Sequence, residues 1–568
     1  MDARFLPTTP EELRERGWER LDVILVTGDS YIDSPFIGVA VVGRVLEAAG
    51  YRVGIIAQPD VETPADIARL GEPLLFWGVT GGSIDSMIAN FTAGKRRRKE
   101  DDYTPGGAND RRPDRAVIVY AALIRRYFKN TRPIVLGGIE SSLRRVAHYD
   151  YWSDSLRRSI LFDAKADALL YGMAEPSVVS LANALKAGDS IEALRGLCHI
   201  SKSPPAGYLE LPSYEAAAAD KRAFIDMFRL FSENSDPATA KGLFQRHGDR
   251  FLVQNPPAAH PTQAQLDAVY ALPYRRAQHP YYERQGPVRA LETIRFSIQS
   301  HRGCYGECNF CSIAVHEGRT VRWRSPESIV AEAEILTRLP GFKGYILDVG
   351  GPTANMYGFE CRRKQASGPC KDRRCLYPSV CRMLKPTHRP QIELLRRLRA
   401  LPGVKKVFVA SGIRPDLVLA DSAHGDEYLA DIASHHVSGQ LKVAPEHSEE
   451  GVLAAMGKPG RESLVGFKKR FDDLSARARK KQFLTYYLIA AHPGCTETDM
   501  QNLKRFASRD LRISPEQVQL FTPSPSTYSS LMYATGLDPF TLRPIFVEKD
   551  PKRRERQKQI VVDKPASR

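Results

Sequence analysis

Apolar residues over the first two hundred positions fall in short continuous runs, separated by stretches with helical spacing. The runs Asp22–Thr27 (DVILVT), Tyr51–Ala57, Leu74–Val79, Pro133–Leu136 and Ala168–Tyr171 do not alternate with polar residues. Unbroken runs of this length fit strands covered on both faces. Helical spacing fills Ile37–Ala49, which Gly50 closes, and Ala116–Asn130. A Gly81-Gly82 pair follows the third run, and a helical stretch then continues through Phe91. Strand–helix alternation predicts an α/β domain over residues 1–200, a doubly wound parallel sheet.

The pattern weakens over 201–289. Pro204-Pro205, Pro256-Pro257 and His279-Pro280 punctuate this stretch, so it reads as a connector with a few helices, such as Tyr214–Phe231. Alternation resumes at 290, with strands expected at Ile294–Gln299, Gly344–Val349, Lys406–Ala410, Gln440–Val443, Phe483–Ala490 and Gln517–Phe521. Ser325 before Pro326 caps one intervening helix and Thr496 another. The expected second domain is a partial (β/α)6 barrel over 290–545, with function in loops at the strand C-terminal ends. A basic tail, 546–568, contains KDPKRRERQK and reads as a charged helix or a solvated arm.

Composition narrows the class. The chain has 568 residues, 42% hydrophobic and 26% charged, with a formal charge of +16, the balance of a soluble enzyme. No apolar run approaches the length of a membrane span, and Met1–Pro10 lacks the features of a signal peptide. Nine cysteines are too sparse for a secreted disulfide scaffold. A cytoplasmic protein with reduced thiols is expected. Those thiols cluster: Cys304, Cys308 and Cys311 lie together, and Cys361, Cys370, Cys375 and Cys381 follow. A random window of about 21 residues would hold roughly 0.3 cysteine, so the clustering points to metal ligation.

The first cluster, Cys304-x3-Cys308-x2-Cys311, follows the first barrel strand. Three thiolates on one tight loop can each hold one iron of a cubane, leaving the fourth iron open to a small molecule. Phe310 is placed to shield such a cluster from water. The competing reading is a zinc site of Cys304, Cys308, Cys311 and His316. The spacing resembles that of the radical S-adenosylmethionine (SAM) superfamily. The resemblance implies a [4Fe-4S] cluster whose open iron chelates SAM, reductive cleavage to a 5′-deoxyadenosyl radical, and an electron donor such as a flavodoxin. It also implies a SAM contact from the backbone at Gly350 and Gly351; Ser411 and Arg414, after the third strand, are candidates for the SAM carboxylate, and Glu446, ending the fourth, offers an acceptor to the ribose hydroxyls. Here Gly-Gly-Pro replaces the common Gly-Gly-Glu, so only the backbone role carries over. The loops at His492-Pro493-Gly494 and Phe521–Pro525 look like those of methylthiotransferase-type radical SAM proteins. No catalytic residue is singled out.

Cys361, Cys370, Cys375 and Cys381 lie in an insert at 357–390, rich in Arg, Lys, Gly and Pro. A loop of that length needs a staple, and four thiolates offer an auxiliary iron–sulfur cluster or zinc. The N-terminal domain is similar to cobalamin-binding folds, which use Asp-x-His-x-x-Gly. Here Asp33 and Gly38 match, but Pro35 takes the histidine position, and Pro cannot ligate. The aromatic and acidic stretch His148–Asp154 suggests a half-buried interface, and Lys95–Arg98 a solvated charge run.

Taken together, VILVTGD, RVGIIAQPD, VLGGIESSLRR, HYDYWSD, CYGECNFCSI, GGPTANMYG, VAPEH and HPG resemble the YgiQ family of radical SAM proteins over residues 15–545. The implied function is a radical SAM enzyme, and the resemblance supplies no substrate. The alternative is a zinc-dependent nucleic-acid-binding protein using the basic balance. A non-catalytic barrel acting in an assembly is the third reading.

Overall fold

The computed structural model describes residues 4–371 and 373–562. The outermost residues of the expected start and tail, 1–3 and 563–568, and Asp372 of the insert lie outside the described residues. The chain divides into two compact units, 1–260 with 268–295 and 261–267 with 296–568.

The first unit is built on a nine-stranded sheet. Its strands are β1 (Val23–Thr27), β2 (Val53–Ala57), β3 (Phe76–Thr80), β4 (Ile134–Gly137), β5 (Ala168–Leu170), β6 (Leu197–Ser201), β7 (Leu209–Leu211), β8 (Leu243–His247) and β9 (Arg250–Gln254). The order is β7-β8-β9-β6-β5-β4-β3-β1-β2. β2, β1, β3, β4 and β5 run parallel, in the 2-1-3-4-5 order of a doubly wound sheet. Every residue of β1 and β2 is buried, which explains their unbroken apolar runs. Helices Gly38–Ala48 and Ala116–Tyr127 bury Ala40, Leu46, Val117 and Tyr120.

The stretch 201–289 is a correction to the expected connector. β7, β8 and β9 lie inside it and extend the sheet through antiparallel pairs β5–β6, β6–β9 and β8–β9. The proline pairs at 204–205 and 256–257 fall outside these strands, where no ladder bond is lost. The turn between β8 and β9 is tight, with Gly248 at φ +64°. The expected helix Tyr214–Phe231 is two helices, Tyr214–Ala219 and Lys221–Glu233. Asp220 separates them and caps the second by accepting from the Arg222 and Ala223 amides. The expected boundaries at 200 and 290 therefore fall within one unit.

The second unit carries parallel strands in chain order: β10 (Ser297–Gln299), β11 (Tyr345–Ile346), β12 (Asp348–Gly350), β13 (Lys406–Val407), β14 (Gln440–Glu446), β15 (Phe483–Ala490) and β16 (Gln519–Leu520). β11 and β12 are halves of one strand interrupted at Leu347, whose amide donates to the Phe296 carbonyl at 2.9 Å. β10 pairs with β12, β11 with β13, β14 with β15 and β15 with β16, all parallel. The parallel bridge Ile413–Val443 joins the first strands to the last. This is the expected open barrel of βα units. Ile294, expected to begin the first strand, ends a helix, Ala290–Ile294, and the strand starts at Ser297. The core collects Ile298, Val349, Val407, Leu441 and Leu484 with helix residues Leu336, Leu395, Leu429 and Phe467.

The tail forms a helix, Pro551–Val561, not an arm. Val561 is buried with Leu488, Ala490 and Met500. Gln557 Oε1 accepts from the Ala491 amide at 3.1 Å, and Gln557 Nε2 donates to the Cys495 carbonyl at 3.1 Å. Among the described residues no helix is long and apolar enough to cross a membrane.

Candidate metal and cofactor centre

The loop after β10 carries the first three cysteines. His301–Arg302 pairs antiparallel with Arg322–Trp323 at its base. Gly303 turns the chain at φ +81°, and a Cβ there would lie 2.4 Å from the Thr320 carbonyl oxygen, so only glycine fits. Asn309 anchors the far side, donating from its amide to the Met456 carbonyl and from Nδ2 to the Ala455 carbonyl, both at 2.8 Å. Cys311 N–H closes the turn onto the Cys308 carbonyl at 3.0 Å.

Gly306 marks the centre of the cradle. A Cβ on it would lie 3.2 Å from Cys304 Sγ, 3.5 Å from Cys308 Sγ and 3.3 Å from Arg414 Nη1. The Gly306 amide donates to Cys304 Sγ at 3.3 Å, and Thr353 Oγ1 is 3.6 Å from the same sulfur. Burial raises the Cys304 thiol above its ordinary value, with the Cys308 sulfur adding to it. Burial raises Cys311 further, and Cys308, Cys304 and Glu446 add to that. Cys304 and Cys311, held protonated by burial and by the neighbouring sulfurs, stand beside Cys308 where a bound cation would reverse that balance.

The residues expected around SAM divide into two groups. Gly350 ends β12 and Gly351 follows it, and both serve close packing. A Cβ on Gly350 would meet Ser411 Oγ at 2.9 Å, and one on Gly351 would meet His301 Nε2 at 2.6 Å. Ser411 is held by Asp348: its hydroxyl donates to Oδ2 and its amide to Oδ1, the latter at 3.1 Å. Arg414 and Glu446 instead join the thiols. Arg414 places Nε and Nη2 on the Asp416 carboxylate at 2.9 and 2.5 Å and turns Nη1 toward the sulfurs. Burial opposes its charge, but Asp416 and the sulfurs of Cys308 and Cys304 more than offset that and raise its pKa. Glu446 sits at the irregular end of β14 with φ +69°. Its carboxyl is buried, and burial raises it against the pull of Lys458, 3.8 Å away, and of Arg414.

Four contributors escaped the sequence reading. Asp348 fixes Ser411, Thr353 flanks Cys304, and Lys458 faces Glu446. Asn355 clamps Arg414, accepting from its amide at 2.8 Å and donating to its carbonyl at 3.0 Å. Only Asp348 carried a signal, as a lone acid inside an apolar run just before Gly-Gly. Phe310 packs with Val452, Met456 and Leu488 and meets the His492 ring edge-on. His492 Nε2 lies 2.6 Å from Ser529 Oγ.

Among the described residues, no three His, Cys, Asp or Glu side chains converge on one metal-ion position. A tetranuclear cluster takes one thiolate per iron, so its ligands need not converge. In the insert, Cys361, Cys375 and Cys381 join one apolar cluster with Tyr305, Phe359 and Leu376. Burial pushes Cys375 up to about 12. Cys370 is half-buried, and none of the nine cysteines is in a disulfide.

In the first unit, the crevice beyond β1 and β3 is where doubly wound sheets take ligands. Here it is filled. Arg112, fully buried, bridges Asp29 at 2.8 Å and Asp101 at 2.9 Å. A Cβ on Gly28 would lie 2.2 Å from the Gly81 carbonyl oxygen, and one on Gly81 would lie 2.3 Å from Glu140 Oε2. Asp33 is consumed by Arg44, with one contact at 3.1 Å. These residues do not fit a cobalamin. His148, Tyr149, Asp150 and Tyr151 are buried within this unit, with Asp150 gripped by Arg115 at 2.8 and 3.1 Å. Lys95–Arg98 is largely exposed.

Comparison with known proteins bears on both units. The radical SAM N-terminal family model matches residues 5–297, and the radical SAM superfamily model matches 298–507. A UPF0313 protein of Fusobacterium nucleatum is 55% identical over 566 residues, covering 100% of both chains. A UPF0313 protein of Thermotoga petrophila is 46% identical, covering 99% of both. The solved structure of the cobalamin-dependent S-adenosylmethionine radical enzyme OxsB with aqua-cobalamin bound gives a TM-score of 0.50 at 12% identity. It covers 88% of this chain and 53% of that one, a likeness of fold.

Proposed function

This chain belongs to the UPF0313 family and is a radical SAM enzyme that uses a [4Fe-4S] cluster and SAM, and on that premise we propose that Cys304, Cys308 and Cys311 each ligate one iron. A cluster held by these thiols would supply the electron for reductive cleavage of SAM. The observation that carries the assignment is the gathering of Cys304 Sγ, Cys308 Sγ and Arg414 Nη1 around Gly306, with Cys311 feeling both of the other sulfurs.

The chain's own residues have separable tasks. The thiolates carry negative charge into a buried loop, and Arg414 Nη1 offsets it beside Cys304 and Cys308. Asp416 fixes the guanidinium in plane from the opposite side, which leaves one edge to meet a carboxylate. Glu446, its charge countered by Lys458, is an acceptor for ribose hydroxyls. Gly350 and Gly351 keep the strand ends close enough for backbone groups to face a ligand. Asp348 holds Ser411 against the end of the same strand.

The one-electron donor in this reading is a flavodoxin-class protein, because a small low-potential carrier suits a cluster that must be reduced. The compartment is the reducing cytoplasm, in keeping with nine unpaired thiols. A zinc-dependent nucleic-acid-binding role finds no support in the relatives.

The test is anaerobic reconstitution of wild type and of the triple variant Cys304→Ser/Cys308→Ser/Cys311→Ser. Wild type is expected to bind four more irons per chain than the triple variant and to release 5′-deoxyadenosine with dithionite and SAM. A triple variant with the iron content of wild type would refute the assignment.

A further inference from the structure

The four-cysteine insert carries a second feature that the reading above does not use. Between Cys361 and Lys385 the chain places eight Lys or Arg residues against one Asp. Arg362, Arg363, Lys371, Arg373, Arg382 and Lys385 are exposed. Among the described residues no carboxylate pairs with Arg362, Arg363, Lys371, Arg382 or Lys385. Exposed like charges repel one another and set up a positive field over this face of the insert.

The insert is fastened to the loop that carries the thiols. Tyr305, between Cys304 and Gly306, donates its hydroxyl to the Phe359 carbonyl at 2.6 Å. Lys364, one of the two cations turned inward, sits 5.2 Å over the Tyr305 ring and donates to the Arg319 carbonyl. Arg374, the other, donates to the Glu307 carbonyl at 3.0 Å. Cys304 packs against the same apolar cluster as Cys361, Cys375 and Cys381. Beside the cations, Met383 is 56% exposed, and so is Phe540, which the Arg374 guanidinium covers at 5.5 Å. Exposed apolar side chains next to a charged rim are the composition of a transient protein contact.

We propose that the exposed basic face of the insert, with Met383, is the docking surface for an acidic electron-donor protein that reduces the cluster. This rests on the three-cysteine assignment above and adds where the partner binds. One electron leaves the reduced flavin and enters the cluster, whose core charge falls from 2+ to 1+; no bond forms or breaks between the proteins. The surface steers the encounter, since complementary charge raises association rates far more than it deepens affinity. Its attachment to the thiol loop favours an electron carrier over a nucleic acid as the acidic partner.

The test uses the full reconstituted chain and the variant Arg362→Glu/Arg363→Glu/Arg382→Glu/Lys385→Glu. The second-order rate of cluster reduction by flavodoxin hydroquinone is expected to fall by about tenfold or more at low salt, with its salt dependence flattened. Release of 5′-deoxyadenosine with dithionite stays at the wild-type level. That arm reports the cluster reading by itself, so a loss confined to the flavodoxin arm belongs to the surface. The milder Arg382→Gln/Lys385→Gln chain should lose rate in the same direction. An unchanged flavodoxin rate in both variants overturns the proposal, as does a loss of RNA affinity with the flavodoxin rate intact.

Discussion

At Gly306 one methyl group decides whether two thiols and a guanidinium can share a space. In Gly306→Ala the new Cβ would sit 3.2 to 3.5 Å from Cys304 Sγ, Arg414 Nη1 and Cys308 Sγ. Overpacking of this kind costs about 1–3 kcal/mol, so iron content after reconstitution should fall while far-ultraviolet circular dichroism is unchanged. Glu446→Gln is expected to weaken SAM binding by about tenfold to a hundredfold, from the loss of a charge-assisted hydrogen bond worth about 1.5–3 kcal/mol, measured by equilibrium dialysis on the reconstituted protein. Three buried histidines of the same unit set an acid limit. Burial holds His301 and His447 down at about 4 and His492 at about 3, against 6.5 for an exposed ring. Their folded values are depressed, so the stability they lend is complete above pH 6.5 and is lost as pH falls toward 4. Urea midpoints measured between pH 7 and 4 should therefore decline across that window, and His301→Gln should flatten the decline. The cysteines were legible because thiols are scarce and their spacing is local. Lys458, Thr353 and Asn355 were not, because common side chains reach the thiols only once distant strands have closed around them.

At the scale of elements, β1 and β2 were readable from apolar runs, since strands buried on both faces admit nothing else. The strands at 197–254 were obscured by flanking proline pairs and by β8, whose alternate burial leaves Arg246 exposed. Glycine and proline report turns, but they do not say which sheet the chain rejoins. The crevice past β1 and β3 was legible only in part. Its glycines were visible, but the ion pair that fills it joins Asp29 to Arg112, across 83 residues of sequence. Arg112→Met is expected to destabilise the first unit by about 3–5 kcal/mol, because Asp29 and Asp101 stay buried without their partner. Hydrogen exchange should then show lost protection in β1 and β3 while β14 and β15 are unaffected.

Over the whole molecule, each unit has its own core, one centred on Leu25, Val53 and Leu181 and the other on Val349, Leu395 and Phe467. Heating followed by exchange labelling should resolve two transitions. Removing iron from reconstituted protein is expected to lower only the transition of residues 296–562, since ligand release withdraws binding energy from the unit that holds it. The positive charge gave little guidance at this scale; its distribution over the insert is the informative quantity. The helix Pro551–Val561 has a consequence for biosynthesis. It covers Leu488, Ala490 and Met500, so a nascent chain emerging from the ribosome leaves those side chains bare until the last turn has cleared the exit tunnel. Until then the half-built barrel lacks the wall of its second core that this helix supplies.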